Sequence, residues 1–116
     1  MSKPAATSSS PFVLLEETFS EKRQGRLFQK LVKLKVPGSN GQLEDRKLLC
    51  SVYADSYDFQ SYARVEIYSP TESKWNLLMS LPYANMACKG KSLATTPDLH
   101  KKDCAVLLES ALKVLL

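Results

Sequence analysis

The feature that most constrains the fold is residues 48–81, where apolar and polar residues alternate with a period of two. This alternation is typical of β-strands, because successive side chains point to opposite faces of a sheet. Polar turns near residues 55–61 and 69–73 divide the segment into three strands. The predicted buried face is formed by Leu48, Cys50, Val52 and Ala54 in the first strand, Ala63, Val65 and Ile67 in the second, and Trp75, Leu77, Met79 and Leu81 in the third.

Two more strands are predicted before this segment. Residues 12–19 form a short apolar run typical of an edge strand, followed by a charged connection at 20–26. Residues 27–36 are compatible with a helix or a strand. The strand is favoured because the run is short and the loop at 37–41 can close a hairpin onto the next strand. In that strand Lys30 points inward.

A long helix is predicted at the C-terminal end. Thr96 suits the N-cap, Pro97 the first helical position, and Asp98 the positive end of the helix dipole. Its apolar stripe is wide and requires extensive burial, across its own sheet or also against a second chain. The stripe comprises Leu99, Cys104, Leu107, Leu108, Ala111, Leu112, Leu115 and Leu116, and is widened by Val106 and Val114.

The predicted fold class is α+β. It consists of an antiparallel sheet of four to five strands, arranged as a meander, with one long C-terminal helix packed on one face. Residues 1–11 are small and polar and are expected to form a flexible tail, and residues 12–116 a single domain. A homodimer through the helix or a sheet edge is an open alternative.

Composition sets broad limits on function. The 116 residues carry a net charge of +4, which is compatible with an anionic partner. The three cysteines lack metal-ligand spacing, and no segment has the length of a membrane span. We therefore expect an intracellular protein, cytoplasmic or nuclear, that has no membrane association and no cofactor.

Catalytic and metal signals are weak. His100 and Cys104 stand four residues apart on one helix face, which is half of a metal site, and a surface histidine beside a buried cysteine is the simpler interpretation. Asp55 and Asp58 are better explained as turn residues than as cation ligands. The chain has no phosphate-binding glycine loop and no paired acids. We therefore predict no enzyme, no catalytic residue and no metal site.

The strongest functional signal is the sheet face opposite the aliphatic one. It is predicted to carry rings and cations together, as single-stranded nucleic acid requires for base stacking and phosphate neutralisation. The predicted binding residues are Tyr53, Tyr62, Arg64, Tyr68, Lys33, Lys35 and Arg26. Ordinary strand composition also produces such a face, since tyrosine favours strands and charges keep exposed faces soluble.

These residues predict a small non-enzymatic module that binds single-stranded or structured nucleic acid. The order of strands and helix is similar in outline to the PUR and Whirly families of single-strand binders, although the chain contains neither family's motif, so no residues are transferred. The alternative is a protein–protein adaptor or inhibitor, of the kind that mobile elements encode, which uses the same face or a strand edge.

Overall fold

The computed structural model describes residues 11–55, 60–89 and 97–116. Five antiparallel strands form one sheet in the order in which they occur in the chain, followed by one α-helix. The elements are β1 (Val13–Lys22), β2 (Gly25–Pro37), β3 (Leu43–Asp55), β4 (Tyr62–Ser69), β5 (Lys74–Leu81), a 3-10 turn (Tyr83–Asn85) and α1 (Asp98–Leu115). The α+β meander with one C-terminal helix is therefore confirmed.

The structure shows that residues 27–36 form a strand. They lie within β2, which pairs with β3 along its whole length, from Gly25 opposite Asp55 to Pro37 opposite Leu43. The expected charged connection at residues 20–26 was wrong, because β1 continues to Lys22 and only Arg23 and Gln24 form the turn. The longer pairing satisfies the backbone groups that a loop would have left to water.

The core lies between the sheet and α1. Its centre comprises Phe28, Val32, Leu34, Leu48, Cys50, Val52, Ala63 and Val65 from the sheet and Cys104, Leu107, Leu108 and Ala111 from the helix. We call this side of the sheet the helix face and the other side the open face. Lys30 lies opposite Cys50 on the helix face, as the strand interpretation predicted, and it is only partly buried.

The alternation predicted for the third strand of residues 48–81 breaks in β5. Met79 pairs with Val65, but Leu77 pairs with Glu66, so the intervening Leu78 is an extra residue. A β-bulge of this kind reverses the faces of all residues before it. Leu77 therefore lies on the open face and is 64% exposed, and the prediction that it faces the core was wrong.

Trp75 changes faces for the same reason. It pairs with Tyr68 of β4, and its predicted position in the core was also wrong. Of the four apolar residues assigned to one face of this strand, Met79 and Leu81 pack against the core as predicted.

The helix begins at Asp98, with Pro97 as its N-cap and no side-chain capping hydrogen bond, so the predicted start was early by one residue. Thr96, the predicted cap, lies outside the described residues. The apolar stripe is buried only in part, because Val106, Val114 and Leu116 remain exposed. Within the described residues, no helix combines the length and apolar character that crossing a membrane requires.

Candidate functional site

The open face follows directly from the register of the three central strands. Tyr53 stands opposite Leu27 of β2 on one side and opposite Tyr62 of β4 on the other. Directly opposed residues of antiparallel strands share a face. The neighbours of Tyr53 along β3, Val52 and Ala54, belong to the core, so Tyr53 points away from α1. The predicted placement of Tyr53 and Tyr62 on the open face agrees with this register.

The first aromatic group consists of Tyr53, Tyr62 and Arg64. The two rings lie with centroids 5.6 Å apart and planes tilted by 41°. The Arg64 guanidinium carbon lies 4.5 Å from the centroid of the Tyr62 ring, a distance typical of a cation–π contact. Arg64 is exposed, and its Nε lies 3.8 Å from an oxygen of Glu66. Three of the predicted binding residues are thus brought together.

A buried carboxylate fixes the Tyr53 ring. The Tyr53 hydroxyl donates a hydrogen bond of 2.6 Å to Oδ2 of Asp55, and Asp55 is only 1% exposed. The backbone N–H of Asp55 in turn donates to Oγ of Ser61. The bond to the carboxylate raises the pKa of Tyr53 to about 12, because ionising the phenol would break it. Asp55 therefore positions the Tyr53 ring, a role beyond the turn formation that the sequence predicts for Asp55. Asp58 lies outside the described residues.

A cleft of about 470 Å³ opens beside these rings. Its walls come from the β1–β2 turn, from the end of β3 and from the start of β4. The lining residues are Lys22, Arg23, Gln24, Leu27, Tyr53, Asp55, Gln60 and Tyr62. The cleft has aromatic side walls and two cations at its rim, which are the groups that contact a base and a phosphate respectively.

A second aromatic group lies further along the face. The rings of Tyr68 and Trp75 meet edge to face, with centroids 5.3 Å apart. Trp75 also borders a cleft of about 280 Å³, lined by Glu16, Thr18, Gln29, Leu31, Leu49 and Trp75. Sequence reasoning omitted Trp75 from the site, because strict alternation assigned it to the core and only the bulge moves it to the open face.

The predicted lysines lie at the Tyr68 end of the face. Lys33 stands opposite Lys47, which precedes Tyr53 by six residues in β3, so about 20 Å of strand separates this lysine pair from the first aromatic group. Among the described residues, neither Lys33 nor Lys47 takes part in an ion pair within 4.0 Å. Two like charges directly opposite each other are unfavourable unless an anion lies between them.

Lys35 is partly neutralised. Its Nζ lies 3.0 Å from Oδ1 of Asp45, and this contact holds the pKa of the Asp45 carboxyl below its usual range. Both side chains are exposed, so the pair is weak and an incoming anion can compete for Lys35.

Arg26 is not part of the open face. It pairs with Ala54, a core residue of the helix face, and its guanidinium reaches Glu21 at 3.1 Å. Arg26 is thus separated from the other predicted binding residues, and its part in binding stays a prediction. The strand begins at Gly25 and therefore continues the alternation of Phe28 and Lys30 back to Arg26.

His100 is also placed differently from the prediction. It is 1% exposed and lies under the sheet, with Nε2 3.2 Å from the Arg26 carbonyl oxygen and its ring edge to face with Phe19. The surface histidine inferred from sequence was therefore wrong. Burial lowers the pKa of His100, which favours the neutral ring. Among the described residues, no three histidine, cysteine or acidic side chains form a metal-binding group.

The fold and site define a small α+β domain with an open, aromatic and cationic sheet face. Comparison of the chain with protein family models, with curated proteins and with solved structures found no match. The functional assignment therefore depends on the geometry alone.

Proposed function

We propose that the open face binds single-stranded nucleic acid, or the unpaired part of a structured one. The observation that carries the proposal is the Tyr53–Tyr62–Arg64 group on the face away from α1. Its two ring centroids lie 5.6 Å apart, and the Arg64 guanidinium carbon lies 4.5 Å from the Tyr62 ring centroid. Rings and arginine planes stack on bases of any sequence, which gives binding with little base preference.

The distribution of the remaining groups supports an extended ligand. A strand that stacks on Tyr53 and Tyr62 and runs along β4 reaches the Tyr68–Trp75 pair after about 20 Å, since Tyr62 and Tyr68 are six residues apart. Cations lie at both ends of this path. Lys22 and Arg23 line the first cleft, and Lys33 and Lys47 lie at the Tyr68 end of the open face. In this proposal these cations neutralise phosphates while the rings contact bases.

The test is a fluorescence-anisotropy titration with a labelled single-stranded oligonucleotide of about 16 nucleotides, a length within the range that single-strand binders occupy. A duplex serves as comparison, and each titration is run at low and at near-physiological salt. We expect saturable binding to the single strand that weakens with salt, because bound phosphates release counterions.

Variants locate the site. Tyr62→Ala with Arg64→Ala should weaken binding by about tenfold or more, since each base stack contributes roughly 1–3 kcal/mol. Lys102→Ala removes one positive charge from an exposed position of α1 and should have little effect. Equal losses in the two variants would show that net charge alone drives binding and would contradict the proposed site.

A second candidate is docking of a protein on the same face. The specific observation in its favour is apolar exposure, because Leu77 is 64% exposed and the second cleft includes Leu31, Leu49 and Trp75. Aromatic and apolar contacts of this kind depend little on salt. Absence of oligonucleotide binding at low salt, together with salt-independent capture of a protein that Leu77→Ser abolishes, would favour this function.

A further inference from the structure

A carboxylate lines the second cleft of the open face, the one of about 280 Å³. Among the described residues that line this cleft, Glu16 is the only charged one. Glu16 pairs with Leu31 of β2, and Leu31 pairs with Leu49 of β3, so the three side chains share the open face. No ion pair within 4.0 Å joins Glu16 to another described residue. The carboxylate is therefore free to accept hydrogen bonds from a ligand, and it repels a phosphate.

A second acceptor comes from Gln29, which also lines this cleft. Its Nε2 donates a hydrogen bond of 3.1 Å to Oγ of Ser51, which leaves the Gln29 carbonyl oxygen as an acceptor. An ionised carboxylate such as that of Glu16 accepts hydrogen bonds and donates none. A ligand that enters the second cleft therefore gains most if the edge that meets Glu16 carries hydrogen-bond donors.

The remaining lining residues suit a flat ring. Leu31 and Leu49 are directly opposite each other and form an apolar floor. Glu16 and Trp75 come from β1 and β5, the two edge strands of the sheet, so they border the cleft from opposite sides. An indole ring such as that of Trp75 stacks on bases. The volume lies at the small end of ligand pockets, which span about 300–1,000 Å³, and therefore suits one base better than a longer segment.

We propose that the second cleft holds one base of the bound nucleic acid and selects a base with an exocyclic amino group. This selectivity rests on the proposed function of the open face and adds a base preference to it. The Glu16 carboxylate accepts a hydrogen bond from the amino group, as acidic side chains do at N4 of cytosine. Uracil has a carbonyl oxygen at the same position, and the carboxylate repels it.

One extended ligand can occupy both clefts of the open face. Leu49 precedes Tyr53 by four residues in β3, so about 13 Å of strand separates the floor of the second cleft from the first aromatic group. The Tyr53–Tyr62–Arg64 group stacks on bases with little preference. The second cleft is therefore the part of the face at which base identity is read.

The experiment compares labelled oligodeoxycytidine and oligodeoxyuridine of about 16 nucleotides in fluorescence-anisotropy titrations of the full chain at pH 7.5. The two bases have the same ring and differ in the amino or carbonyl group at C4. We expect the cytidine oligomer to bind about tenfold more tightly. Glu16→Gln should bring the ratio of the two dissociation constants close to one, because an amide donates to the uracil oxygen as readily as it accepts from the amino group.

Glu17→Gln is the matched control. It removes the same charge from the next residue of β1, whose carboxylate lies 3.8 Å from Nζ of Lys101 in α1, and it should leave the preference for cytidine unchanged.

Two kinds of failure are distinguishable. Equal binding of the two oligomers by the wild-type protein, or tighter binding of the uridine oligomer, would overturn the selectivity and leave the open face as a nucleic-acid site. A preference that Glu17→Gln reduces as much as Glu16→Gln would also overturn it. Binding of neither oligomer at low salt would overturn the proposed function of the open face, and the base preference with it.

Discussion

The carboxylate of Asp103 accepts a hydrogen bond of 2.6 Å from the backbone N–H of Ala87. Its second oxygen accepts another, of 3.1 Å, from the backbone N–H of Cys88. Asp103 lies on the buried side of α1 and is 2% exposed, and the two amides belong to the segment that follows β5. One helix side chain thus satisfies two loop donors and ties the end of the sheet to the helix.

Asp103→Ala should lower the free energy of unfolding by about 2–4 kcal/mol. The substitution removes two charge-assisted hydrogen bonds and leaves two backbone donors without their acceptor. Urea denaturation followed by the fluorescence of Trp75, the single tryptophan, measures the change. Glu109→Gln is the control, because it alters an exposed pair with Lys113 on the same helix and should change stability by less than about 0.5 kcal/mol.

Gly25→Ala should lower the free energy of unfolding by about 1–3 kcal/mol. A Cβ at position 25 of β2 would overlap the carbonyl oxygen of Ala54 and contact the Tyr53 ring, both in β3. The strands β2 and β3 would therefore have to separate at this point. Because Tyr53 forms a wall of the first cleft, this variant should also weaken oligonucleotide binding.

Gly41→Asn provides the comparison for Gly25→Ala. Gly41 has φ +83° and open space around the position of a Cβ, and asparagine tolerates the left-handed region better than other side chains. The Gly41 variant should therefore stay close to wild type in thermal denaturation. A loss at position 41 equal to that at position 25 would contradict the steric explanation.

The meander could be predicted from sequence because alternation and turn chemistry are local signals. The bulge at Leu78 could not, since Leu77 and Leu78 are both apolar and either could have continued the inner face. As a result the sequence pattern assigns Trp75 to the core, and of the second aromatic group it predicts only Tyr68 on the open face. The pattern did contain the helix face for Arg26, because Arg26 is in phase with Phe28, but the predicted strand began at Leu27, two residues after the start of β2.

The burial of His100 required information that the helix pattern lacks. Its neighbours Phe19 and Arg26 belong to β1 and β2, more than 70 residues earlier in the chain. Tertiary contacts of this kind decide whether a polar residue on a helix is exposed, and a helical stripe alone cannot supply them.

Stability should fall as the pH drops below about 6.5, because His100 is buried in its neutral form. The folded protein binds the His100 proton less tightly than the unfolded chain, since burial lowers the pKa of the ring. The stabilisation from the neutral ring is present in full above the pKa of about 6.5 that His100 has in the unfolded chain. As the pH falls from there toward the lower pKa of the folded protein, the free energy of unfolding decreases by at most about 1.4 kcal/mol per pH unit.

Urea denaturation at pH 7.5, 6.5 and 5.5 measures this effect, and His100→Gln is the comparison. Glutamine retains a donor for the Arg26 carbonyl but does not titrate, so its profile should be flatter over this interval. His100 is the only histidine, which removes the commonest competing group. Parallel profiles of the two proteins would contradict a neutral buried ring.

Tyr53 should ionise later than a free tyrosine, because its hydroxyl donates to the Asp55 carboxylate and this raises the pKa to about 12. The folded state holds the phenolic proton more tightly than the unfolded chain does. The resulting stabilisation is therefore present in full below pH of about 10 and is lost as the pH rises toward 12.

Absorbance titration near 295 nm should show one late tyrosine in the wild-type protein. That component should vanish in Tyr53→Phe and persist in Tyr62→Phe, which removes the neighbouring phenol. If Tyr62→Phe instead abolished the late component, the Tyr53–Asp55 bond would not be what fixes the ring at the cleft.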